Sequence, residues 1–316
     1  MDEFKLIDNF FKKLSGKNSL KLEDDVALLD SDTKLAFSTD IIVEDVHFFK
    51  NSSARIIAYK LLESALSDLA AKALCPCYYS LNLSLPKDIS SDWFELFSSS
   101  LSEIQKKHNI YLLGGDLTNC DKMVLSVTVF GSYEKKILAR NNLQEDDLIY
   151  VSGYIGDSYL GLEYLRGNLT DNLYKKYFID KYNFPEARTD LRNILANYAN
   201  AAIDISDGLI QDISHLAKTS KKQVNIDYSS IAYSDNAKKL ISKNNDLIYK
   251  LPFAGDDYQI VFSIAEKNKD SLLKLAEKSN ILITEIGYVS RGNSVKLLNC
   301  DNEKLPKNRG YKHFKD

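Results

Sequence analysis

The sequence has few cysteines, no long apolar run and little net charge, and each of these absences excludes a class of protein. Four cysteines in 316 residues are too few for a disulfide framework, so we expect reduced thiols. No apolar stretch approaches the roughly 20 residues of a membrane-spanning helix, and the acidic first residues lack the apolar core of a signal peptide. With a net charge of −3, neither nucleic acid nor a membrane is an expected partner. We therefore expect a cytoplasmic protein.

Familiar catalytic motifs are also missing. There is no G-x-x-x-x-G-K-[ST] phosphate-binding loop, no G-x-G-x-x-G before a helix and no protein-kinase catalytic loop. The four histidines show no zinc-site spacing with the cysteines, and His108 and His215 are interpreted as exposed helix residues. Cys75 and Cys77 form a C-P-C that leaves a minor metal or redox alternative open.

The chain is long enough for two cores, because single cores stop growing at roughly 250–300 residues. The polar segment 134–147 is the expected linker, which gives domains 1–136 and 137–316. Apolar alternation and helical periodicity predict the elements of the first domain. They are strands over 35–43, 78–85, 110–113 and 123–130, and helices over 53–74 and 92–108, the second opening on a capping box of Asp92 and Glu95.

The second domain mixes strands and helices in the same way. The predicted strands are 148–152, 224–228, 257–264 and 282–289, and the predicted helices are 157–165, 187–199, 207–219, 235–243 and 267–279. Because strict strand–helix–strand alternation is absent, the predicted fold class is α+β, with mixed β-sheets covered by helices in both domains.

Acidic clusters follow the apolar segments in both halves. They include Glu23-Asp24-Asp25, Ser38-Thr39-Asp40, Asp68, Gly114-Gly115-Asp116, Asp204-Ile205-Ser206-Asp207-Gly208 and Gly255-Asp256-Asp257. A single aspartate beside a glycine is usually turn chemistry. Six such groups indicate divalent cations, since converging carboxylates otherwise repel each other.

Asp68 is the residue whose role can be argued from helix geometry. Ile57, Leu61 and Ala65 fall on one stripe of the predicted helix, and Asp68 projects into that stripe. A carboxylate there is destabilising by several kcal/mol unless it is paired or binds a cation. Asp68 is therefore interpreted as a metal ligand, while an ion pair with Lys72 remains the alternative.

Mg²⁺ prefers oxygen ligands and completes its shell with water and phosphate oxygens. More carboxylates than one ion needs indicate several Mg²⁺ ions and a polyphosphate. Those are the requirements of phosphoryl transfer, in which positioning and charge neutralisation supply most of the catalysis.

The order of these clusters resembles the thiamine-monophosphate kinases. The matching motifs run from D-D-x-A-L-L at Asp24 to the C-terminal Gly310-Tyr311-Lys312-His313-Phe314. Between them lie S-T-D, a histidine seven residues later, L-S-D-L-A-A, G-G-D, G-x-x-G-D-S, I-D-I-S-D-G-L and G-D-D-Y. S-D-L-A-A followed by I-D-x-S-D-G is the specific part of the pattern.

The resemblance implies a two-domain fold shared with aminoimidazole ribonucleotide synthetase. It implies a homodimer whose N-terminal domains bind ATP and Mg²⁺ and form a joint barrel, and direct transfer of the ATP γ-phosphate to thiamine monophosphate. The implied metal ligands are Asp24, Ser38, Asp40, Asp68, Asp116, Asp204 and Asp207. The implied ATP contacts are Thr39, Gly115, Asp116, Arg140 and Ser206, with Asp68, Asp204 and Arg140 as catalytic residues. His47, Asp256 and Tyr311 are implied on the substrate side.

Three positions depart from the family pattern. Glu23 replaces a usual glycine before the D-D pair, which puts the geometry of that loop in doubt. Asp256 stands where glutamate is common, and Tyr311 where an aromatic residue, often tryptophan, is found.

Two alternatives remain open. One is another ATP-using enzyme of the superfamily, such as a cyclo-ligase, a selenide-activating enzyme or a hydrogenase maturation factor. The other is a nucleotide- or metal-binding module without turnover, for which Glu23 is the best support. No cysteine precedes Cys75 and none follows Cys300, which argues against the selenide enzymes and the maturation factor.

Overall fold

The structure is a computed structural model that describes residues 3–22, 29, 34–134, 137–170, 174–306 and 310–311. The chain divides into two compact units. Unit 1 consists of Met1–Leu69 and Leu74–Lys136, and unit 2 consists of Ala70–Ala73 and Ile137–Asp316.

The described residues of unit 1 form four strands and three α-helices. The strands are β1 (Lys34–Val43), β2 (Cys75–Leu85), β3 (Tyr111–Asn119) and β4 (Val124–Tyr133), and the helices are α1 (Glu3–Leu6), α2 (Ala54–Ala71, whose last two residues belong to unit 2) and α3 (Ser91–His108). A π-helical turn (Ile7–Phe11) and two 3-10 turns (Lys12–Leu14 and Lys17–Leu22) follow α1. Strand β3 is longer than the predicted 110–113.

The cap of α3 corrects a detail of the sequence prediction. Ser90 is the N-cap residue, and its hydroxyl oxygen accepts from the backbone N–H of Trp93 at 3.2 Å. A serine hydroxyl in extended backbone satisfies an otherwise orphaned amide of the first turn. The helix therefore begins before Asp92, and the expected Asp92–Glu95 capping box was wrong.

The sheet of unit 1 is mixed, with the strand order β1-β4-β2-β3. Strand β4 runs antiparallel to both neighbours, and β2 and β3 are parallel. Alternate residues of the strands are buried on one face, among them Leu81 and Val127. Two hydrogen bonds attach helices to this inner face: Ser38 to Asp68 on α2, and Tyr79 to Gln105 on α3.

In the part of unit 2 that the structure describes, there are six strands and seven α-helices. The strands are β5 (Leu148–Ser152), β6 (Ala199–Asp204), β7 (Lys222–Asp227), β8 (Ile260–Ile264), β9 (Ile283–Arg291) and β10 (Val295–Leu298). The helices are α4 (Asp157–Leu165), α5 (Lys175–Asn183), α6 (Arg192–Tyr198), α7 (Leu209–Ser220), α8 (Asp235–Lys243), α9 (Leu247–Lys250) and α10 (Lys269–Lys278). Five 3-10 turns occur at Thr189–Leu191, Tyr228–Ser230, Leu251–Phe253, Glu266–Asn268 and Asn302–Lys304.

The sheet of unit 2 has the order β10-β7-β9-β5-β8-β6, in which only β10 and β7 are parallel. Both faces are buried. Ile149 and Ile203 pack in a cluster with residues of α4, α7 and α8, while Tyr150 and Ala202 pack in another with residues of α6 and α10.

The α+β class with mixed sheets is confirmed, but among the described elements two strands, β6 and β10, and three helices, α1, α5 and α9, were not predicted. Strand β6 has the sequence A-N-A-A-I-D, in which Ile203 is the single β-branched residue. Because both faces of this strand are buried, it shows no alternation of apolar and polar residues. In the part of the chain that the structure describes, no helix combines the length and apolarity needed to cross a membrane.

Candidate active site

The acidic groups of unit 1 begin with a carboxylate pair on the inner face of the sheet. Asp40 lies on β1 and Asp68 on α2, and both are half-buried. The Ser38 hydroxyl donates to Asp68 Oδ2 at 2.5 Å. Because Ser38 and Asp40 are two residues apart on one strand, they share a face. The structure therefore brings Ser38, Asp40 and Asp68 together, three of the expected metal ligands.

The helix stripe around Asp68 is as the sequence predicted. Ile57, Leu61 and Ala65 are fully buried on α2. Lys72, the alternative ion-pair partner, donates to the backbone carbonyl oxygen of Ala202 at 2.5 Å within unit 2. That contact favours the cation interpretation of Asp68 over the Asp68–Lys72 pair.

The electrostatics of the pair favour a bound cation. Burial, with the neighbouring Asp68 charge as second cause, raises the pKa of Asp40 from 3.8 to about 6, although a Ser64 hydroxyl acts in the opposite direction. The ionised form of Asp40 is thus disfavoured in the protein alone. A divalent cation between the two carboxylates would relieve both causes.

Thr39 and Asp116 lie on the other face of the same sheet. Thr39 Oγ1 is 2.9 Å from Thr128 Oγ1 across the β1–β4 pair, on the exposed side. Asp116 is in register with Asn82, which pairs with Ser126, and Ser126 pairs with the exposed Ile41. Within unit 1, the expected ATP contacts Thr39 and Asp116 are therefore separated by the sheet from Asp40 and Asp68.

Gly115 has a structural requirement of its own. Its φ is +157°, and a Cβ built there would lie 1.7 Å from the backbone oxygen of Leu81. Only glycine permits β3 to approach β2 this closely. A substitution at this position would disturb the sheet as well as any nucleotide contact.

His47 lies in the turn that follows β1. The ring Nδ1 of His47 accepts from the backbone N–H of Val43 at 3.0 Å. The backbone N–H of His47 donates to the Val43 carbonyl oxygen at 2.9 Å. Because Nδ1 is an acceptor, a neutral ring carries its proton on Nε2. The turn thereby fixes both the tautomer and the ring of this expected substrate contact.

In unit 2, the loop after β6 is organised around Asp212. The backbone N–H groups of Ser206, Asp207 and Gly208 donate to Asp212 Oδ2 at 3.2, 3.1 and 3.1 Å. Asp212 is buried in the first turn of α7. This one carboxylate oxygen sets the backbone of the loop that carries two expected site residues, Ser206 and Asp207. A third, Asp204, is also buried and immediately precedes the loop.

Asp212 was not among the residues identified from the sequence. Its only signal in the sequence is an acidic residue in the first turn of a predicted helix, four residues after Gly208. Acidic residues are common at that position, so the signal does not distinguish Asp212. Burial raises its pKa to about 8, with Asp204 and Asp207 adding to the effect and the Asp207 and Gly208 amides opposing it.

The segment Ala254–Tyr258 packs directly on this loop. The N–H of Asp256 donates to Ser206 O at 2.9 Å, and that of Tyr258 donates to Ile205 O at 2.8 Å. A Cβ at Gly255 would lie 2.2 Å from Ser206 O, so glycine is required for the approach. Asp256 itself adopts a left-handed φ of 67°, which aspartate tolerates better than most residues.

Tyr311 joins the same place from the C-terminal segment. Its N–H donates to Asp207 O at 3.2 Å, and its carbonyl oxygen accepts from Gln211 Nε2 at 3.0 Å. Unit 2 therefore brings Asp204, Ser206, Asp207, Asp256 and Tyr311 together. The Tyr311 side chain is 48% exposed, while its backbone is fixed at both ends.

Arg140 is at the opposite end of α7. Its carbonyl oxygen accepts from Ser220 Oγ at 3.0 Å at the C-terminal end of this helix, whereas Asp207 precedes the N-terminal end. A helix of 12 residues is about 18 Å long. Within unit 2, the backbone of Arg140 is thus far from Asp204, and its catalytic role remains a prediction.

The G-x-x-G-D-S segment has its own buried acceptor. The N–H of Gly156 donates to Asp257 Oδ2 at 2.7 Å, and that of Ser158 donates to Asp257 Oδ1 at 3.4 Å. Burial holds the pKa of Asp257 well above its usual range. A side chain of the G-D-D-Y motif therefore occupies these two amides.

Two other sequence interpretations can be assessed within unit 1. His108 is not an exposed helix residue: its side chain is 1% exposed, and Nε2 is 3.1 Å from both oxygens of the buried Glu63. The Cys77 thiol donates to Phe130 O at 3.2 Å, and burial raises its pKa to about 11. Among the described residues, neither Cys75 nor Cys77 belongs to a group of three close metal-ligating side chains, which argues against a C-P-C metal site.

The described residues contain one group of three suitable metal ligands whose atoms lie within 4.8 Å of one another: Asp207, Asp212 and His215. Asp207 is the member expected from the sequence. His215 is exposed, as predicted. The expected ligand Asp24, like Glu23 beside it, lies outside the described residues.

Comparison with known proteins identifies the family. The family model "AIR synthase related protein, N-terminal domain" matches residues 23–133, and the corresponding C-terminal domain matches residues 144–298. A thiamine-monophosphate kinase from Buchnera aphidicola subsp. Schizaphis graminum is 36% identical over 99% of both chains.

Solved structures agree. The crystal structure of a thiamine-monophosphate kinase from Stenotrophomonas maltophilia has a TM-score of 0.85 and 33% identity, over 94% of this chain and 96% of that one. AaThiL complexed with AMPPCP and TMP has a TM-score of 0.80 and 29% identity, over 99% and 97% of the two chains. This chain belongs to the thiamine-monophosphate kinase family of AIR synthase related proteins.

Proposed function

We propose that this protein transfers the γ-phosphate of ATP directly to thiamine monophosphate, giving thiamine diphosphate. The observation that carries the proposal is the similarity to thiamine-monophosphate kinases over 99% of the chain. A relative of similar fold, AaThiL, forms a complex with AMPPCP and TMP. The acceptor in this reaction is a phosphate oxygen of the substrate, so no serine or cysteine nucleophile is required.

The side chains fit several Mg²⁺ ions as cofactors. Carboxylate and hydroxyl oxygens are the ligands that Mg²⁺ prefers, and Ser38, Asp40 and Asp68 supply them in unit 1. Asp204 and Asp207 supply them in unit 2, with Asp24 and Asp116 as further ligands implied by the family. When bound, Mg²⁺ would neutralise charge on the β- and γ-phosphates.

The protein's own residues position the nucleotide around this charge. We assign Ser206 to an ATP contact, and Asp68 and Asp204 to catalysis through the metal ligands. Thr39, Gly115 and Asp116 are ATP contacts implied by the family, although Thr39 and Asp116 lie on the face of the sheet opposite Asp40 and Asp68. The guanidinium of Arg140 would neutralise charge that develops during transfer.

The acceptor site is assigned to His47, Asp256 and Tyr311. Thiamine monophosphate carries a cationic thiazolium, a pyrimidine ring and a phosphate. A tyrosine face suits the cation, a carboxylate suits a ring amino group, and the Nε2–H of His47 suits an oxygen acceptor. Asp256 and Tyr311 are supported as a pair by their common attachment to the 205–207 backbone.

We also propose a cytoplasmic homodimer in which the unit 1 sheets form a joint barrel. The outer face of this sheet exposes large apolar side chains: Phe37 is 70% exposed, Ile41 55% and Tyr111 45%. Such a face and the edge strand β1 would be covered by the sheet of a second copy.

Light scattering tests the dimer. One chain has a mass of 35.8 kDa, and we expect about twice that value at micromolar concentrations. Phe37→Asp should shift the mass toward one chain, whereas Leu96→Asp, an exposed leucine on α3 of the same unit, should not. A wild-type mass near 35.8 kDa at all concentrations would contradict the dimer.

A turnover assay with ATP, Mg²⁺ and thiamine monophosphate tests the function. We expect thiamine diphosphate and ADP in equal amounts, with no release of inorganic phosphate. Turnover of ATP only with another acceptor would favour a different enzyme of the superfamily. Nucleotide binding without any turnover would favour a binding module.

A further inference from the structure

Gln211 links two parts of the candidate site in unit 2. It lies on the first turn of α7, and its Nε2 is 3.0 Å from Asp207 Oδ2 and 3.0 Å from Tyr311 O. A side-chain amide nitrogen carries two hydrogens, so it can donate to both acceptors at once. One side chain thus connects an expected metal ligand to the backbone of an expected substrate contact.

The C-terminal segment passes directly against this amide. Gly310 has a φ of +147°, and a Cβ built there would lie 1.9 Å from Gln211 Oε1. Any larger residue at position 310 would displace the Gln211 amide. The adjacent Tyr311 N–H donates to Asp207 O, so the segment is attached to both Gln211 and the loop it faces.

The loop beneath is fixed independently of Gln211. Three amides bind Asp212 Oδ2, and Asp256 N–H binds Ser206 O. Removing the Gln211 amide therefore leaves the loop backbone in place. What it releases is the Asp207 carboxylate on one side and Tyr311 on the other.

From this geometry we infer that Gln211 is a positioning residue, which holds Tyr311 over the acceptor site while orienting the Asp207 carboxylate. The inference rests on the proposed function, in which Tyr311 contacts thiamine monophosphate. It assigns to Gln211 a larger effect on acceptor recognition than on ATP binding, because Asp212 keeps the backbone of Asp207 in place when the Gln211 amide is removed.

The test is Gln211→Glu, which keeps the shape of the side chain but cannot donate when ionised. We expect the KM for thiamine monophosphate to rise about tenfold, with kcat falling less and the KM for ATP changing less than about twofold. Gln211→Met removes the donor without adding charge and should act in the same direction. Ser214→Ala, one turn further along α7 with an exposed hydroxyl bonded to Ile210 O, is the matched control and should behave as wild type.

A second measurement does not depend on turnover. Hydrogen exchange of the C-terminal peptide that contains Tyr311 should be slow in the wild type, because its N–H is bonded to Asp207 O, and faster in both Gln211 variants. If wild-type protein shows this protection but no turnover of thiamine monophosphate, the proposed function fails and the contact stands.

Two results would overturn the inference. One is unchanged exchange and an unchanged KM for thiamine monophosphate in both variants. The other is an equal loss in every kinetic constant with a lower Tm, which would mark Gln211 as a residue of general stability.

Discussion

The two acidic groups differ in what holds their carboxylates. In unit 1, Asp40 and Asp68 lie near each other on β1 and α2, and the Ser38 hydroxyl binds Asp68. In unit 2, a buried aspartate that is outside the expected ligand set, Asp212, binds three backbone amides and shapes the loop that carries Asp207. Asp212 orders its loop through these amides, although the charges of Asp204 and Asp207 also raise its pKa. Asp40 and Asp68 instead lie close together beside a serine hydroxyl, an arrangement suited to bind a cation.

This difference separates residues that a motif groups together. I-D-I-S-D-G-L and G-D-D-Y each contain two aspartates, and the two aspartates of G-D-D-Y have different hydrogen-bonding roles. Asp257 accepts from the N–H of Gly156 at 2.7 Å. Its neighbour Asp256 has a left-handed φ, and its backbone N–H donates to Ser206 O in the 205–207 loop. The predictions below test the contrast between cation-binding and scaffold carboxylates.

The largest effect is expected for Asp68→Asn. The change keeps the volume and removes one negative charge from the unit 1 pair, so Mg²⁺ binding should weaken and kcat should fall by at least about 100-fold. The Tm should stay within a few degrees of wild type. Asp121→Asn, at an exposed position of unit 1, is the matched control. Wild-type turnover at ordinary Mg²⁺ concentrations in Asp68→Asn would exclude Asp68 as a metal ligand.

For the scaffold carboxylate, Asp212→Ala and Asp212→Asn should differ in their free energy of unfolding. Alanine leaves three loop amides without their acceptor and should lower the free energy of unfolding by about 1–3 kcal/mol. Asparagine retains an acceptor oxygen and carries no charge. Because the pKa of Asp212 is raised to about 8, its ionised form is disfavoured, and Asp212→Asn should be at least as stable as metal-free wild type above that pH.

Denaturant unfolding of metal-free protein measures both variants. Asp235→Ala, in the exposed first turn of α8, is a helix-start control that should change the free energy of unfolding much less than Asp212→Ala. Equal stability of Asp212→Ala and wild type would contradict the scaffold role.

Asp40 should give unit 1 a pH-dependent response to Mg²⁺. Folding raises its pKa from 3.8 to about 6, so the folded protein binds more protons than the unfolded chain between these values. The contribution of Asp40 to the stability of metal-free protein should therefore fall as the pH rises from about 4 to about 6 and level off above. Mg²⁺ binds the ionised carboxylate, so the Tm increase that it produces should grow by at least about 2 °C across this range.

Thermal unfolding with and without Mg²⁺ at several pH values checks this, and Asp40→Asn should abolish the trend. Asp121→Asn again serves as control. A Mg²⁺ effect on Tm that is the same at both ends of the range would exclude Asp40 as the group responsible.

Local patterns in the sequence predicted much of the fold. The strand 148–152 and the helices 157–165 and 235–243 have the predicted bounds, because apolar periodicity and turn residues agree there. Strand β6 was missed because its alanines are buried on both sides and give no alternation. Helix α5 was missed because its sequence, K-K-Y-F-I-D-K-Y-N, is mostly polar.

The sequence predicted which residues belong to the candidate site better than it predicted how they are arranged. The motif order named Asp207, Asp256 and Tyr311, but spacing could not reveal that backbone hydrogen bonds join them. The opposite orientation of Thr39 and Asp40 does follow from the predicted strand 35–43, because adjacent residues of a strand face opposite sides of the sheet, yet the family pattern assigns both residues to ATP and its metals. Contacts between distant segments, such as Asp212 with its loop, depend on tertiary structure that no local pattern contains.

The smallest effect is expected for Tyr311→Ala, which tests whether the residue is a substrate contact or part of an exposed tail. A tyrosine face attracts a cation by about 0.5–2 kcal/mol, somewhat less than tryptophan. Loss of that face should raise the KM for thiamine monophosphate several-fold and lower kcat less. Tyr311→Phe keeps the ring and should retain nearly the wild-type KM.

The alternative is that the ring makes no contact with substrate. The side chain is 48% exposed, and in an exposed tail it would contribute nothing to binding. The backbone argues otherwise, since both polar groups of Tyr311 are bonded, to Asp207 O and to Gln211 Nε2. A tail fixed at this residue holds its ring near the segment that carries Asp256. If Tyr311→Ala leaves both constants unchanged while Asp68→Asn abolishes turnover, acceptor recognition must come from Asp256 and His47, and the kinase assignment would then depend on the carboxylates alone.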